Sequence, residues 1–185
     1  MANRDSINQA LKVIGSAGFS GLSVSAPSAS RGLVLLLRKH GAKHISTNRL
    51  LYDLKRRGLV EVAAQPGRIR YTLTPAGAYR LQELGIDEIR IPPPKKWDKK
   101  WRLVAFDVPV KQSRQRQEFV EKLQSLGFVM LQKSLWVHPF PCFTEVEEIT
   151  SHYNVLRHCS LMEVDIVDEA SRRHLRRQFK NLLEK

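Results

Sequence analysis

Three consecutive prolines near the middle of the sequence constrain the fold more than any other feature. Pro92 to Pro94 lie in the stretch IDEIRIPPPKKWDKKW, which also carries four lysines and two tryptophans. Consecutive prolines adopt a stiff, extended conformation without internal hydrogen bonds, so a regular helix cannot continue through them. The sequence therefore predicts two domains, over residues 1–86 and 98–185, joined by a Pro/Lys-rich linker over 87–97.

The first part has the pattern of a helical domain. The third of its predicted helices carries a capping residue at its start, Ser46 or Thr47, and a terminating glycine, Gly58. Apolar residues recur at helical spacing, and small residues separate the first two helices. These patterns predict helices over 5–18, 31–41 and 46–58 and a loop over 20–30.

A β-hairpin and a closing helix follow. On the second strand of the hairpin, apolar residues alternate with Arg68 and Arg70, and the Pro66–Gly67 pair favours a type II turn. Thr74 is a capping residue and Pro75 a favoured first helical residue, so a further helix is expected there. Three helices, a two-stranded wing and a closing helix predict a winged helix-turn-helix.

The third helix is the candidate DNA-reading element. At 100° per residue, its leucines share one face, and Arg49, Tyr52 and Arg56 share the opposite face. Arginine forks match guanine edges and phosphates, whereas a merely solvated polar face is the alternative interpretation. The residues predicted to contact DNA lie on this helix and on the wing: Ser46, Thr47, Asn48, Arg49, Tyr52, Lys55, Arg56, Arg68 and Arg70.

The charge balance favours a polyanionic partner. The chain has 31 Lys and Arg against 18 Asp and Glu, a formal net charge of +13. Such a field attracts double-stranded DNA; a solubilising surface or an anionic membrane are the alternatives. Because no membrane-span-like stretch and no signal-peptide core are present, we expect a cytoplasmic protein with no membrane partner. Cys142 and Cys159 are expected to be packed free thiols, and His138 a packed or solvated histidine.

The second part predicts a ferredoxin-like domain in an α+β protein. Its elements follow the order β-α-β-β-α-β and end in a basic helix. The SLWVHPF strand carries Leu135, Trp136 and Val137, an apolar surface that predicts burial in a homodimer. Strands are expected over 101–108, 128–131, 134–140 and 159–167, and helices over 112–125, 144–156 (capped by Thr144) and 168–185.

The second part also resembles known families. The stretches WDKKWRLVAFDVP and LGFVMLQKSLWVHPFPC resemble the middle domain of the PaaX-like repressors of phenylacetate catabolism, which place a winged helix ahead of it. The same segment is similar to the small ferredoxin-like endonuclease of CRISPR adaptation. The resemblance implies a homodimeric, DNA-binding repressor of transcription. PaaX-like repressors continue into a further carboxy-terminal domain, so this chain is expected to be a shortened form, and no motif identifies a small-molecule effector.

Asp107 is the candidate catalytic or metal-binding residue. The resemblance places it at the endonuclease's aspartate, and Gln132 and Ser134 at a glutamine–serine pair. As a chemical group, two copies of Asp107 across a dimer would hold Mg²⁺, which makes a metal-dependent nuclease or CRISPR-adaptation component the alternative function. As a structural group, it would accept backbone N–H bonds or pair with Arg114 or Arg116. A single carboxylate is a poor metal site, so the structural role is favoured, with no catalytic residue, no cofactor and no enzyme activity expected.

A second set of basic residues lies on the linker and the terminal helix. These side chains are too many to reach base edges, so if they touch DNA we expect them to touch phosphates. A third functional hypothesis, an adaptor that uses DNA only as a platform, rests on the same residues. The set consists of Lys95, Lys96, Lys99, Lys100, Arg172, Arg173, Arg176 and Arg177.

Overall fold

The computed structural model describes residues 4–16, 22–25 and 47–184. The chain divides into two compact units, Met1–Asp87 and Glu88–Lys185. The predicted helix over 31–41 and the predicted capping residue Ser46 lie outside the described residues. Within those residues, no helix has the length and apolar character needed to cross a membrane.

The first unit places helices around a small sheet. Its core is formed by apolar side chains of both, among them Leu11, Leu50, Leu54 and Tyr71. The helix over 47–56 confirms the predicted third helix. The elements are α1 (Arg4–Gly15), β1 (Leu22–Ser25), α2 (Thr47–Arg56), β2 (Val60–Gln65), β3 (Arg68–Leu73) and α3 (Pro75–Glu88).

The sheet of the first unit has three strands in the order β1-β3-β2, all antiparallel. The first strand was not expected: residues 22–25 fall in the predicted loop, and that prediction is wrong. In β1, Leu22 lies opposite Tyr71 and Ser25 opposite Arg68. A four-residue strand of Leu, Ser and Val has too short a pattern to be recognised locally, and its hydrogen bonds come from a strand more than forty residues away.

The hairpin is closed by the predicted turn. Gly67 has a φ of 70°, whereas the ring of Pro66 holds its φ near −65°. A negative φ followed by a positive one is the type II combination, which confirms the predicted turn type.

Thr74 joins the hairpin to α2 and α3. Its hydroxyl donates to the Gly58 carbonyl at 2.5 Å and accepts from the Gly77 N–H at 3.0 Å, so it caps α3 as predicted. Gly77 is needed there because a Cβ atom would lie 1.9 Å from the Leu59 carbonyl oxygen. These contacts fix the start of α3 against the residues that follow α2.

The second unit confirms the predicted β-α-β-β-α-β order. Its four strands form one antiparallel sheet in the order β5-β6-β4-β7. The strands are β4 (Trp101–Phe106), β5 (Val129–Gln132), β6 (Leu135–His138) and β7 (Cys159–Val164), and the helices are α4 (Ser113–Ser125), α5 (Phe143–His152), α6 (Glu169–Gln178) and α7 (Lys180–Leu183).

Several boundaries differ from the prediction. Strand β4 ends at Phe106, two residues early. Helix α5 begins at Phe143, so Thr144 is inside the helix and the predicted cap is wrong. The terminal helix is capped by Asp168, whose carboxylate accepts from the N–H groups of Ala170 and Ser171, and it breaks at Phe179 into α6 and α7.

Both faces of this sheet are covered within the chain. On one face, Val104, Phe106 and Trp136 pack with residues of α4 and α5. On the other, Trp101 and Val137 pack with Leu175 and Phe179 of the terminal helix segments. Trp136 is therefore 3% exposed and Val137 is fully buried. The predicted apolar dimer surface on this strand is wrong, because each face of β6 is already covered.

Arg102 is a buried charge at the start of the sheet. Its side chain is 3% exposed and donates to both carboxylate oxygens of Asp98 and, at 3.0 Å, to Glu163 on β7. The guanidinium also donates to the carbonyls of Pro139 at 3.1 Å and Lys100 at 3.2 Å. The hydrogen bond from Arg102 holds the pKa of Asp98 below its usual value.

The same two carbonyls accept from a second side chain. The indole Nε1 of Trp97 lies 2.9 Å from the Pro139 oxygen and 3.1 Å from the Lys100 oxygen. Between Trp97 and Lys100 in the sequence, Lys99 has a φ of 66°, a left-handed value that costs a non-glycine residue about 1–2 kcal/mol. The turn over residues 97–100 is thus held by Arg102 and Trp97 against a local backbone preference.

Part of the predicted linker packs onto the second unit. Ile89 and Ile91 lie against one side of its core, and Trp97 stacks edge-on with Trp101 at 4.9 Å. The second unit accordingly begins at Glu88.

Removing the buried guanidinium should destabilise the second unit. We expect Arg102→Ala to lower the free energy of unfolding by about 2–4 kcal/mol, because two carboxylates and two carbonyls lose their shared donor. Lys100→Ala is the matched control: it removes an exposed ion pair with Glu163 at 2.5 Å, and exposed ion pairs contribute little to stability. Urea unfolding of the full chain measures both, and equal losses would contradict the assigned role of Arg102.

Candidate nucleic-acid interface

Helix α2 presents the predicted polar face to solvent. Leu50 and Leu54 are fully buried, whereas Tyr52 is 65% exposed. The remaining exposed positions form one continuous arc with Tyr52, because helical residues three and four apart are neighbours. These positions are Asn48, Arg49, Lys55 and Arg56, all of them predicted from the sequence.

The hairpin β2–β3 carries two more of the predicted arginines. Arg68 is exposed and Arg70 half-buried, on the strand face opposite buried Tyr71. The Nε atom of Arg70 is buried and has no hydrogen-bond partner among the described residues. Both arginines therefore lie on one face of strand β3. Of the other predicted residues, Thr47 begins α2.

Two basic residues near α2 are not among the predicted DNA contacts. Arg4 and Arg57 line a groove of about 450 Å³ with Leu59 and Arg80. Arg80 is paired with Glu83 at 2.9 Å. The signal for Arg57 was the KRRG ending of the third helix, where only Lys55 and Arg56 were predicted to contact DNA.

Asp107 lies at the end of β4 with an exposed side chain. Its backbone N–H donates to the His158 carbonyl at 2.9 Å, but its carboxylate has no hydrogen bond or ion pair to any described residue. Arg114 pairs with Glu118 at 2.9 Å, and the Arg116 guanidinium lies 5.5 Å from the centre of the Phe106 ring. The predicted structural contacts of Asp107 are therefore wrong: strand β4 ends at Phe106, the residue before Asp107, and the carboxylate is exposed to solvent.

The residues of the predicted glutamine–serine pair lie near the same end of the sheet. Gln132 ends β5 and Ser134 precedes β6, and both are exposed. The Ser134 carbonyl accepts from the Phe106 N–H at 3.0 Å, which brings it beside the start of the Asp107 loop. Among residues 4–16, 22–25 and 47–184, no group of three or more His, Cys, Asp or Glu side chains could hold a metal ion.

The two thiols are free and protected. Burial, with a smaller effect from Glu145, raises the pKa of Cys142 to about 12. Burial raises the pKa of Cys159 to about 11. Both groups are neutral thiols at pH 7, which confirms the predicted packed cysteines.

His138 is buried, which confirms the first of the two predicted environments. Its ring lies 5.0 Å from Phe128, 5.5 Å from Phe140 and 6.0 Å from Phe179. Burial lowers the pKa of His138 to about 4, against a smaller opposing effect of the Phe140 backbone, and the charge of Arg102 lowers it further. The Phe140 N–H lies 3.1 Å from Nδ1, which binds the neutral ring in place.

The second predicted basic set divides into paired and unpaired residues. Lys100 pairs with Glu163, and Arg172 and Arg173 contact Glu169. Lys95, Lys96, Lys99, Arg176 and Arg177 are exposed and have no ion pair to a described residue.

Comparison with known proteins supports the resemblance of the second part. Residues 94–176, somewhat less than half of the 185-residue chain, match the model of the PaaX protein central Cas2-like domain. The match runs from the proline stretch into α6, and this PaaX-like domain fits a family of transcriptional regulators. No curated protein matches the chain.

The buried histidine predicts a pH dependence of stability. The folded-state pKa of about 4 lies below the ordinary value of about 6.5, so the unfolded chain binds the proton first as the pH falls. The contribution of the neutral His138 ring to the free energy of unfolding is fully present above pH 6.5. The free energy of unfolding should decrease by about 2 kcal/mol on going to pH 5.

Urea unfolding at pH 7.5 and pH 5 tests this expectation. His138→Asn retains an acceptor for the Phe140 N–H but cannot titrate. Between the two pH values, its free energy of unfolding should therefore decrease by about 2 kcal/mol less than that of the wild type. His174→Asn, on the terminal helix, is the control. An identical pH dependence in wild type and His138→Asn would contradict the assignment.

Proposed function

We propose that the protein is a sequence-specific, DNA-binding regulator of transcription that acts as a homodimeric repressor. The observation that carries the proposal is the exposed face of α2, on which Arg49, Tyr52 and Arg56 are presented by a helix whose opposite side is fixed in the core. A helix of this kind fits the major groove, which is about 12 Å wide.

Three further observations support this function. The hairpin β2–β3 follows α2 directly and carries Arg68 and Arg70, as the wing of a winged helix-turn-helix would. The net charge of +13 favours binding to a polyanion. The PaaX-like domain over residues 94–176 fits a family of transcriptional regulators. In this proposal, residues 1–86 bind DNA and residues 98–185 pair the chains in the cytoplasm, with 87–97 between them.

The base-reading role of α2 can be separated from general attachment to DNA. A binding site is first selected from a random duplex library with the wild-type protein. We expect Arg49→Ala and Arg56→Ala to weaken binding to the selected site by about 1–3 kcal/mol and binding to a scrambled duplex by much less. Tyr52→Phe, which removes only a hydroxyl, should cost less than either.

Lys111→Ala is the control for these variants, because it removes an exposed charge from the second unit. Equal losses on the selected and scrambled duplexes would show that the α2 face is only a basic patch. The same titrations are run with and without Mg²⁺ or Mn²⁺. A shifted band of intact DNA supports the regulator, whereas cleaved DNA would support a nuclease that uses Asp107.

Strand β7 is the proposed dimer edge. It is a six-residue edge strand on which Ser160 and Met162 are exposed. The opposite edge strand, β5, has four residues and an irregular register between Met130 and Gln132. Bulges and short lengths protect an edge from pairing, so β7 is the more suitable edge for a two-fold contact.

Light scattering coupled to gel filtration tests the dimer. The wild type should have twice the chain mass of 21.2 kDa at micromolar concentration. Met162→Lys places a charge at the proposed contact and should shift the protein to the monomer, whereas Met130→Lys, on the other edge strand, should not. A wild-type monomer, or a dimer lost only in Met130→Lys, would contradict the proposed edge.

A further inference from the structure

The second unit has a basic cleft that the proposed reading of DNA by α2 does not use. The cleft measures about 390 Å³ and lies between the turn that precedes β4 and the terminal helix segments. Four cationic side chains line it together with one carboxylate and one indole: Lys96, Lys99, Arg176, Lys180, Glu184 and Trp97.

The cations of the cleft are unpaired. None of the four has an ion pair to any described residue, and all four are exposed. The neighbouring basic residues differ in this respect, since Lys100 is bound to Glu163 and Arg172 to Glu169. Four close positive charges with one nearby carboxylate repel one another, and an anionic partner would relieve that repulsion.

The fold holds these charges together at a cost. Lys99 stands in a left-handed conformation that glycine would adopt freely. The turn that carries it is fixed by the Arg102 and Trp97 hydrogen bonds to the Pro139 and Lys100 carbonyls. The helical side of the cleft is fixed by Phe179, which packs 5.8 Å from Trp101. A strained position at such a rigid site points to a role for its side chain.

We infer that this cleft, here called the basic cleft, binds the phosphodiester backbone of double-stranded DNA and so provides a second, sequence-independent contact surface. The inference rests on the proposed function, because it assumes that DNA is the partner. A duplex presents one negative charge per roughly 1.7 Å of its axis. Several exposed cationic side chains can therefore each contact a different phosphate. Contacts of lysine and arginine with phosphates position a protein on DNA and carry no sequence information.

The test neutralises the cleft in the full-length chain. The cleft variant combines Lys96→Gln, Lys99→Gly and Arg176→Gln, where glycine keeps the left-handed backbone. The control combines Lys111→Gln, Lys133→Gln and Arg157→Gln and changes the net charge equally. Binding of a labelled 40-base-pair duplex of mixed sequence is titrated between 50 and 200 mM NaCl.

We expect the cleft variant to bind the duplex roughly tenfold or more weakly at 100 mM NaCl and to flatten the log–log salt slope by about 2.7, which is 0.9 for each lost phosphate contact. The control should retain the wild-type slope to within one contact. In acetylation footprinting, bound duplex should protect Lys96, Lys99 and Lys180 and leave Lys111 and Lys133 reactive.

The outcomes separate the cleft from the α2 face. The double variant Arg49→Ala/Arg56→Ala and the cleft variant are therefore also titrated on the selected site. If the double variant loses binding to that site while the cleft variant keeps the wild-type slope on both duplexes, the cleft inference is wrong and the proposed function stands. If the cleft variant loses binding and the double variant binds the selected site as the wild type does, the cleft binds DNA and the role of α2 is wrong. No wild-type binding at 50 mM NaCl would overturn both. The cleft variant and the wild type are also sedimented with phosphatidylserine vesicles. If the cleft variant binds the duplex as the wild type does but no longer sediments with the vesicles, the cleft inference is wrong and the cleft is a site for an anionic membrane.

Discussion

The buried guanidinium of Arg102 is the interaction on which the second unit depends. A charge that is 3% exposed is stable only when it is paired and hydrogen-bonded. The two terminal nitrogens of Arg102 bind three separate parts of the chain, whereas its buried Nε has no partner among the described residues. Asp98 precedes β4, Pro139 follows β6, and Glu163 belongs to β7. The arginine therefore ties the start of the central strand to both of its neighbours. It also fixes the turn that brings Lys96 and Lys99 to the terminal helix.

The sequence predicts the elements of the fold better than their contacts. Alternation and capping identify the hairpin, the Thr74 cap and the β-α-β-β-α-β order, because each is a local pattern. Strand β1 and the covering of β6 depend on residues far away in sequence. Trp136 and Val137 look like one apolar surface in a sequence, but successive side chains of a strand point to opposite faces. Trp136 packs with residues of α4 and α5. Val137 is covered by the terminal helix segments.

The candidate site was predictable to the same extent. A helical wheel places Arg49, Tyr52 and Arg56 on one exposed face without knowledge of the fold. The role of a single acid is different, because it depends on what surrounds it. Asp107 follows an apolar strand and Asp98 precedes it, yet Asp98 binds the buried arginine and Asp107 is solvated. Arg102 could have been recognised from the sequence. It lies on the same strand face as Val104 and Phe106, because side chains two residues apart point the same way. This spacing predicts an inward-facing charge that needs acidic partners.

The two basic surfaces differ in how their side chains are held, and this difference suits two kinds of contact. On α2, the residues proposed to read bases project from a helix whose Leu50 and Leu54 are fully buried, so the backbone that carries them is fixed to the core. A base contact requires such precision, because donors and acceptors must align within hydrogen-bond distance. In the basic cleft the backbone is also held in place, but the charged groups lie at the ends of long lysine and arginine side chains that have no ion pair to a described residue. A phosphate backbone of regular charge spacing tolerates that freedom, so rigid placement and flexible ends together favour attachment without sequence preference.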